Sequence, residues 1–261
     1  MKQQLGDMNQ EPETVEAKTV EAETVEAETV ETKKVEDQGV TQRPVLSVKV
    51  VLLTYGVLLL LAVGWGWIRG DMNVFVLDSH LRVWVPAVFV SRLYNMMLWV
   101  VCGVLGGVAG GLLVVFAGRV AVKHLEGFRR MQDAFASMLG EMTTAQIFFA
   151  AAASSLAEEA LFRGAMMPSW GIWISSLVFA VLHAPAERRM LWWPFFAFLM
   201  GLGFGGLAMF FGHLWAPISA HFIINLLNLR KISDEAGKMR QLMRDRPGGS
   251  PQVSKPPDAA V

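Results

Sequence analysis

The chain has 261 residues, 53% of them hydrophobic, with 16 Phe and 9 Trp, and its formal net charge is +0. That apolar load excludes a wholly soluble domain, and the balanced charge excludes a strong electrostatic partnership with nucleic acid. The single cysteine, Cys102, excludes an intramolecular disulfide and a cysteine zinc cluster, and its place in an apolar run predicts a packing role.

Residues 1–44 are polar and carry a near-repeat of five, "TVEAKTVEAETVEAETVE", with glutamates beside one apolar residue each time. A period of five fits neither the 3.6 of a helix face nor the 2 of a strand, so no apolar stripe forms and a disordered acidic tail is expected. Such a start is also unlike a cleaved secretory leader; a solvated spacer is the simplest role.

Six apolar runs follow, near 48–68, 94–117, 145–167, 170–184, 191–211 and 214–229. At 1.5 Å rise per residue each reaches or approaches the ~30 Å of a bilayer core, the fourth and sixth being short. The expected fold is therefore all-α, a polytopic transmembrane helical bundle of about six spans. Residues 45–139 supply the first two spans and an interfacial segment, 140–230 the core, and 231–261 a disordered cytoplasmic tail. Arg119, Lys123, Arg129 and Arg130 follow the second run, Arg188 and Arg189 the fourth, and Arg230, Lys231, Lys238 and Arg240 the sixth. Basic residues stay on the cytoplasmic side, so both termini are expected there. Arg69, Arg82 and Arg92 weigh the other way, and "VWVPAVFV" is a candidate interfacial piece.

Gly103, Gly107 and Gly111 recur on one face of the second run and predict close helix packing within the bundle. "GLGFGG", residues 201–206, satisfies a dinucleotide fingerprint only formally. It lies inside a span with no strand before it, so close packing is again the better account.

The third run contains "SSLAEEALFRGAMMP", residues 154–168. A formal charge costs about 2.5–3.5 kcal/mol at the centre of a bilayer, so two glutamates and an arginine there need a reason. Glu159 and Arg163 stand four apart on one face and can pair as a lock. Glu158 is turned about 100° away and has no evident local counter-ion; a desolvated carboxyl can accept and return a proton. "FAVLH" aligns Phe179 with His183, an aromatic wall beside an imidazole, while "HFIIN" aligns His221 with Asn225, and Asn228 continues that stripe. Counted from the helix ends, Glu158, His183 and Asn225 lie about 10–20 Å deep, so they can meet. A carboxylate, imidazoles and an amide in a dry cavity suffice to activate a water and to stabilise the oxyanion of peptide hydrolysis. Singly, Phe179 reads as core and His183, His221 and Asn225 as interhelical hydrogen bonds; Glu158 has no such plain reading.

With "EEALFR", "FAVLH" and "HFIIN" in that order, and "GHLWAPISAH" leading into the last, residues 140–230 resemble the CAAX protease and bacteriocin-processing (CPBP, or Abi) family of intramembrane endopeptidases. The Ras-converting CAAX prenyl endopeptidase belongs to it. The resemblance implies an intramembrane protease of glutamic type, with Glu158 as general base assisted by His183. It implies His221 and Asn225 as the oxyanion hole, and Glu159 and Arg163 as the groups that hold the site. The implied substrate is a membrane-associated or lipophilic protein or peptide in the lipid bilayer. No cofactor is expected, although the family has been labelled a metalloprotease and Glu158, His183 and His221 could supply three zinc ligands. Two other classes compete: a non-catalytic immunity or scaffold protein that binds a peptide or partner enzyme, and a proton-coupled transporter working through Glu158 and His183.

Overall fold

The computed structural model describes residues 47–70, 73–77, 93–185 and 190–245. The acidic repeat, "VWVPAVFV", Arg82, Arg92, Arg188, Arg189 and residues 246–261 lie outside the described residues. Within them the chain is helical: α1 (Val48–Arg69), α2 (Leu93–His124), α3 (Glu126–Leu139), α4 (Thr144–Glu159), a π-helical segment (Ala160–Met166), α5 (Met167–Leu182), α6 (Trp192–Phe211) and α7 (Trp215–Arg244). Four stretches, Val48–Arg69, Met97–His124, Thr144–Leu182 and Trp192–Phe211, are long and apolar enough to cross a bilayer. The chain is a multi-pass integral membrane protein, as its composition requires.

Thr144–Leu182 contains two of the expected runs, and it does not go straight through. Gly171 sits inside it with φ 78° and ψ 169°, a conformation open to glycine and closed to most side chains. Contacts on either side run antiparallel: Phe162 packs edge-on against Phe179 at 5.0 Å, and one turn further from the bend Glu158 faces His183. The third and fourth runs are thus the two legs of one helical hairpin, which brings "EEALFR" and "FAVLH" side by side. α7 packs antiparallel to α4, through Glu159 with His221, Ser154 with Asn225 and Met142 with Ser233. That pairing delivers "HFIIN" to the same depth.

Close approach fixes the remaining neighbours. A Cβ on Gly107 would stand 2.1 Å from the Ala216 carbonyl oxygen and one on Gly111 would stand 2.7 Å from that of Ala220, so the glycine face of α2 is its seam with α7. A Cβ on Gly201 would lie 2.8 Å from Ser176 and one on Gly205 2.7 Å from Ile172, which makes half of "GLGFGG" the seam between α6 and α5. α4 starts on a reciprocal capping box, with Gln146 N–H donating to Thr143 Oγ1 at 3.2 Å and Thr143 N–H donating to Gln146 Oε1 at 2.7 Å. Such a cap contributes about 0.5–2 kcal/mol and fixes the register that aims Glu158 inward.

Three expectations change. Cys102 is exposed on the outer surface of α2, so it faces outward and does not pack. The core does not give way to a disordered tail at residue 231: α7 continues to Arg244 because Ser233 and Ala236 are buried there, and Ser233 binds both the N–H and the carbonyl of Met142. Of the basic residues that follow the second run, Arg129 and Arg130 lie on a further helix, α3, which the sequence reading did not separate. Phe128, Met131 and Phe135 repeat at helical spacing on α3 and turn toward the bundle, with Phe128 against Phe196 and Phe135 against Trp193.

Candidate active site

The two adjacent glutamates stand in different surroundings. Glu159 is fully buried and accepts from Arg163 Nη1 at 3.0 Å, and its same oxygen, Oε1, accepts from His221 Nδ1 at 2.8 Å. Arg163, also fully buried, donates through Nη2 to the Gly201 carbonyl at 3.2 Å. Its guanidinium lies 4.5 Å from the Phe179 ring centroid and 5.3 Å from that of Phe204. Arg163 is carried by the π segment, a backbone form found often at functional sites. Gly164 beside it admits the 73–77 segment so closely that a Cβ would meet the Val74 carbonyl oxygen at 2.1 Å.

Glu158 faces the other way. Its Oε2 lies 3.8 Å from His183 Nε2 and 3.8 Å from His221 Nε2, too far for direct hydrogen bonds, and has no hydrogen-bond partner among the described residues. Two imidazoles and a carboxylate oxygen at such spacing can share one bridging water. Tautomers follow from the far ring nitrogens. His183 Nδ1–H donates to the Phe179 carbonyl at 2.7 Å, so in the neutral ring Nε2 carries the lone pair. His221 Nδ1–H donates to Glu159 Oε1 at 2.8 Å, so its Nε2 donates only in the doubly protonated ring. His221 is held flat between partners as well, stacked on Phe204 at 4.9 Å. Asn225 Nδ2 donates to Ser154 Oγ at 2.9 Å, which leaves its second N–H for another acceptor.

All four expected catalytic side chains, Glu158, His183, His221 and Asn225, line one cavity of about 460 Å3, with Phe179 in its wall. Glu159 and Arg163 lie behind that wall. The expected zinc set was Glu158, His183 and His221; among the described residues no three His, Cys, Asp or Glu side chains are arranged to hold a metal ion.

Residues 140–227 match the family described as type II CAAX prenyl endopeptidase Rce1-like. This segment is similar to that family. The uncharacterized protein YpbD of Bacillus subtilis (strain 168) is 37% identical over 81 residues, 30% of this chain and 41% of the relative, so the chain spans less than half of that protein. No solved structure matches. The Rce1-like segment holds every residue that the sequence reading named for the site, yet it does not enclose the cavity. Thr54 and Tyr55 of α1, Arg119 of α2 and Phe128 and Phe135 of α3 complete the lining. Tyr55 lines the cavity beside Glu158 and Ser154. Sequence reasoning missed it. The available signal was slight: Tyr55 is one of 2 tyrosines and sits about 10 Å into its helix, deeper than the interfacial belt that tyrosines favour.

Proposed function

We propose that the protein is an intramembrane endopeptidase that hydrolyses a peptide bond of a membrane-associated or lipophilic protein or peptide, using water activated by Glu158 and His183 without a metal. The observation that carries this reading is the Oε2 oxygen of Glu158, buried, without a hydrogen-bond partner among the described residues, and 3.8 Å from each of two imidazole Nε2 atoms. Glu159 Oε2 also lacks such a partner, but only Glu158 lines the cavity and faces both imidazoles. A water held there gives its proton to Glu158 while its oxygen attacks the scissile carbonyl carbon. His183 Nε2 accepts from the water's other hydrogen and orients the attack. The carbonyl oxygen becomes an oxyanion, met by Nε2–H of His221 and the free N–H of Asn225. Collapse restores the carbonyl, the C–N bond breaks, and the proton on Glu158 passes to the leaving nitrogen. Charge balances: Arg163 and protonated His221 against Glu158 and Glu159. The apolar cavity suits a lipophilic chain, and the family match supports proteolysis over transport.

The basic residues of α3 and of the α7 C-terminus lie at one end of the bundle, where Glu141 pairs with Arg240 at 3.1 Å. By the positive-inside tendency that end is cytoplasmic, and the site opens toward it.

The test incubates purified wild-type and Glu158→Gln protein in liposomes with lipophilic and membrane-anchored peptides, with and without a zinc chelator, and reads products by mass spectrometry. Cleavage that is lost in Glu158→Gln and survives the chelator supports the proposal. Cleavage lost with chelator transfers the role to a metal. A Glu158→Gln protein that still cuts removes Glu158 from the chemistry.

A further inference from the structure

We infer that Tyr55, on α1 and outside the Rce1-like segment, is a positioning residue of the active site: its phenol fixes the Glu158 carboxylate and joins it to the Ser154–Asn225 pair. This rests on the proposed hydrolytic role of Glu158. Tyr55 lines the cavity beside Ser154, Glu158 and Asn225. The phenol couples electrostatically to Glu158 and Ser154, and Ser154 Oγ in turn accepts from Asn225 Nδ2 at 2.9 Å. With Oε2 of Glu158 unpartnered among the described residues, a Tyr55 hydrogen bond on the opposite oxygen would anchor the carboxylate and leave Oε2 aimed at the two imidazoles. One short chain of hydrogen bonds would thereby connect the proposed base to the proposed oxyanion donor.

A free carboxylate on a helix has three rotatable bonds, and rotation about the last swings Oε2 away from His183 and His221. A phenol on one oxygen removes that freedom without neutralising the base, because it donates a hydrogen bond and keeps its proton. α1 is well placed for the task. Ala62 packs in one buried cluster with Ala160 and Leu161, just beyond the glutamates, and Trp65 Nε1–H donates to Ser169 Oγ at 3.1 Å. The helix is held along the hairpin while its Tyr55 turn looks into the cavity. The prediction for the family segment follows: residues 140–227 hold the chemistry but do not orient it unaided.

The measurements are made on the full chain in liposomes, with Glu158→Gln as the reference. Tyr55→Phe removes one oxygen; loss of a hydrogen bond to a charged group corresponds to about a 10- to 100-fold fall in kcat, with KM within about twofold. The acidic limb of the pH–rate profile moves to higher pH, because a lost donor disfavours the charged carboxylate. The other charged or titratable groups near Glu158 are His183 from the end of α5, His221 from α7, Arg163 from the π segment, Glu159 on its own helix and Arg119 lining the cavity from α2; all are unchanged in this variant. Wild-type kcat in Tyr55→Phe overturns the inference, and so does a fall in kcat that tracks loss of folded protein with an unmoved acidic limb. A second readout needs no turnover. With Tyr94→Phe in the background, Tyr55 is the only tyrosine left of the 2, and 3-fluorotyrosine incorporation reports on it alone by ¹⁹F resonance. Its signal shifts in Glu158→Gln if the contact exists; an unmoved signal overturns the inference. Cleavage that persists in Glu158→Gln would instead break the hydrolytic reading itself.

Discussion

Two halves of the same helical turn show how one protein treats buried charge in opposite ways. Behind the cavity wall, Glu159 is paired and sealed in: Arg163 and His221 share one of its oxygens, three aromatic rings surround the guanidinium, and neither Glu159 nor Arg163 is exposed. In front of the wall, Glu158 lines the cavity; each glutamate leaves its Oε2 without a hydrogen-bond partner among the described residues, but that of Glu158 stands 3.8 Å from two imidazole Nε2 atoms. Pairing in a sealed interior makes a charge structural, because any change leaves a partner stranded in a low dielectric. Facing a cavity leaves a carboxylate able to act on whatever enters.

The largest predicted effect separates the halves on the cavity side. Glu158→Gln keeps shape and removes the base, so cleavage falls by about 10²- to 10⁴-fold, the usual contribution of a general base, while the thermal midpoint stays close to wild type. A variant that loses folding and activity together would place Glu158 in the lock. Next comes Arg163→Ala, which leaves Glu159 buried without its cation. The expected cost is about 3–5 kcal/mol, read as loss of folded protein in detergent or as low abundance in the membrane. Normal abundance and a normal midpoint would dissolve the distinction between the halves. Gly164→Ala acts on the same region from the backbone. Its new Cβ must push the Val74 carbonyl away from a 2.1 Å approach, and an overpacked core site of this kind loses about 1–3 kcal/mol, measurable as a lowered denaturation midpoint.

Much of this was legible before any coordinates, and the reason is spacing. Glu159 with Arg163, Phe179 with His183 and His221 with Asn225 are each four apart, and a helix converts that interval into a shared face. Once a hairpin and an antiparallel α7 set the depths, three faces become one site. What the sequence hid are features without an interval. Tyr55 stands alone on α1, and no period marks a single side chain. The π segment changes backbone hydrogen bonding while leaving the side-chain pattern of "ALFRGAM" apolar. α3 was legible in principle from Phe128, Met131 and Phe135, but its arginines were read only as basic residues that follow the second run. The end of α7 was hidden because its burial comes from the Met142 backbone, to which Ser233 binds on both sides, and not from an apolar run.

The smallest predicted effect tests whether burial, and not pairing as such, makes the lock. Lys231 and Glu235 on α7 repeat the four-residue spacing of Glu159 and Arg163, but at the water-facing end of the helix, where Lys231 is 45% exposed. The Lys231 hydrogen bond holds the Glu235 carboxyl below its ordinary range, with Lys238 adding to it. A depressed carboxyl contributes stability that is present above its unfolded value and is lost as pH falls through its folded one. Exposed helix pairs of this type are worth about 0.3–0.5 kcal/mol. Glu235→Gln should therefore shift the denaturation midpoint slightly at neutral pH and not at all once the medium is acid enough to protonate the wild-type carboxyl. The same geometry inside the bundle costs roughly ten times as much to break, because there water cannot replace the missing partner. Equal effects from Glu235→Gln and Arg163→Ala would mean that the interior around Glu159 is wet, and the contrast between its two glutamates would have to be sought in something other than burial.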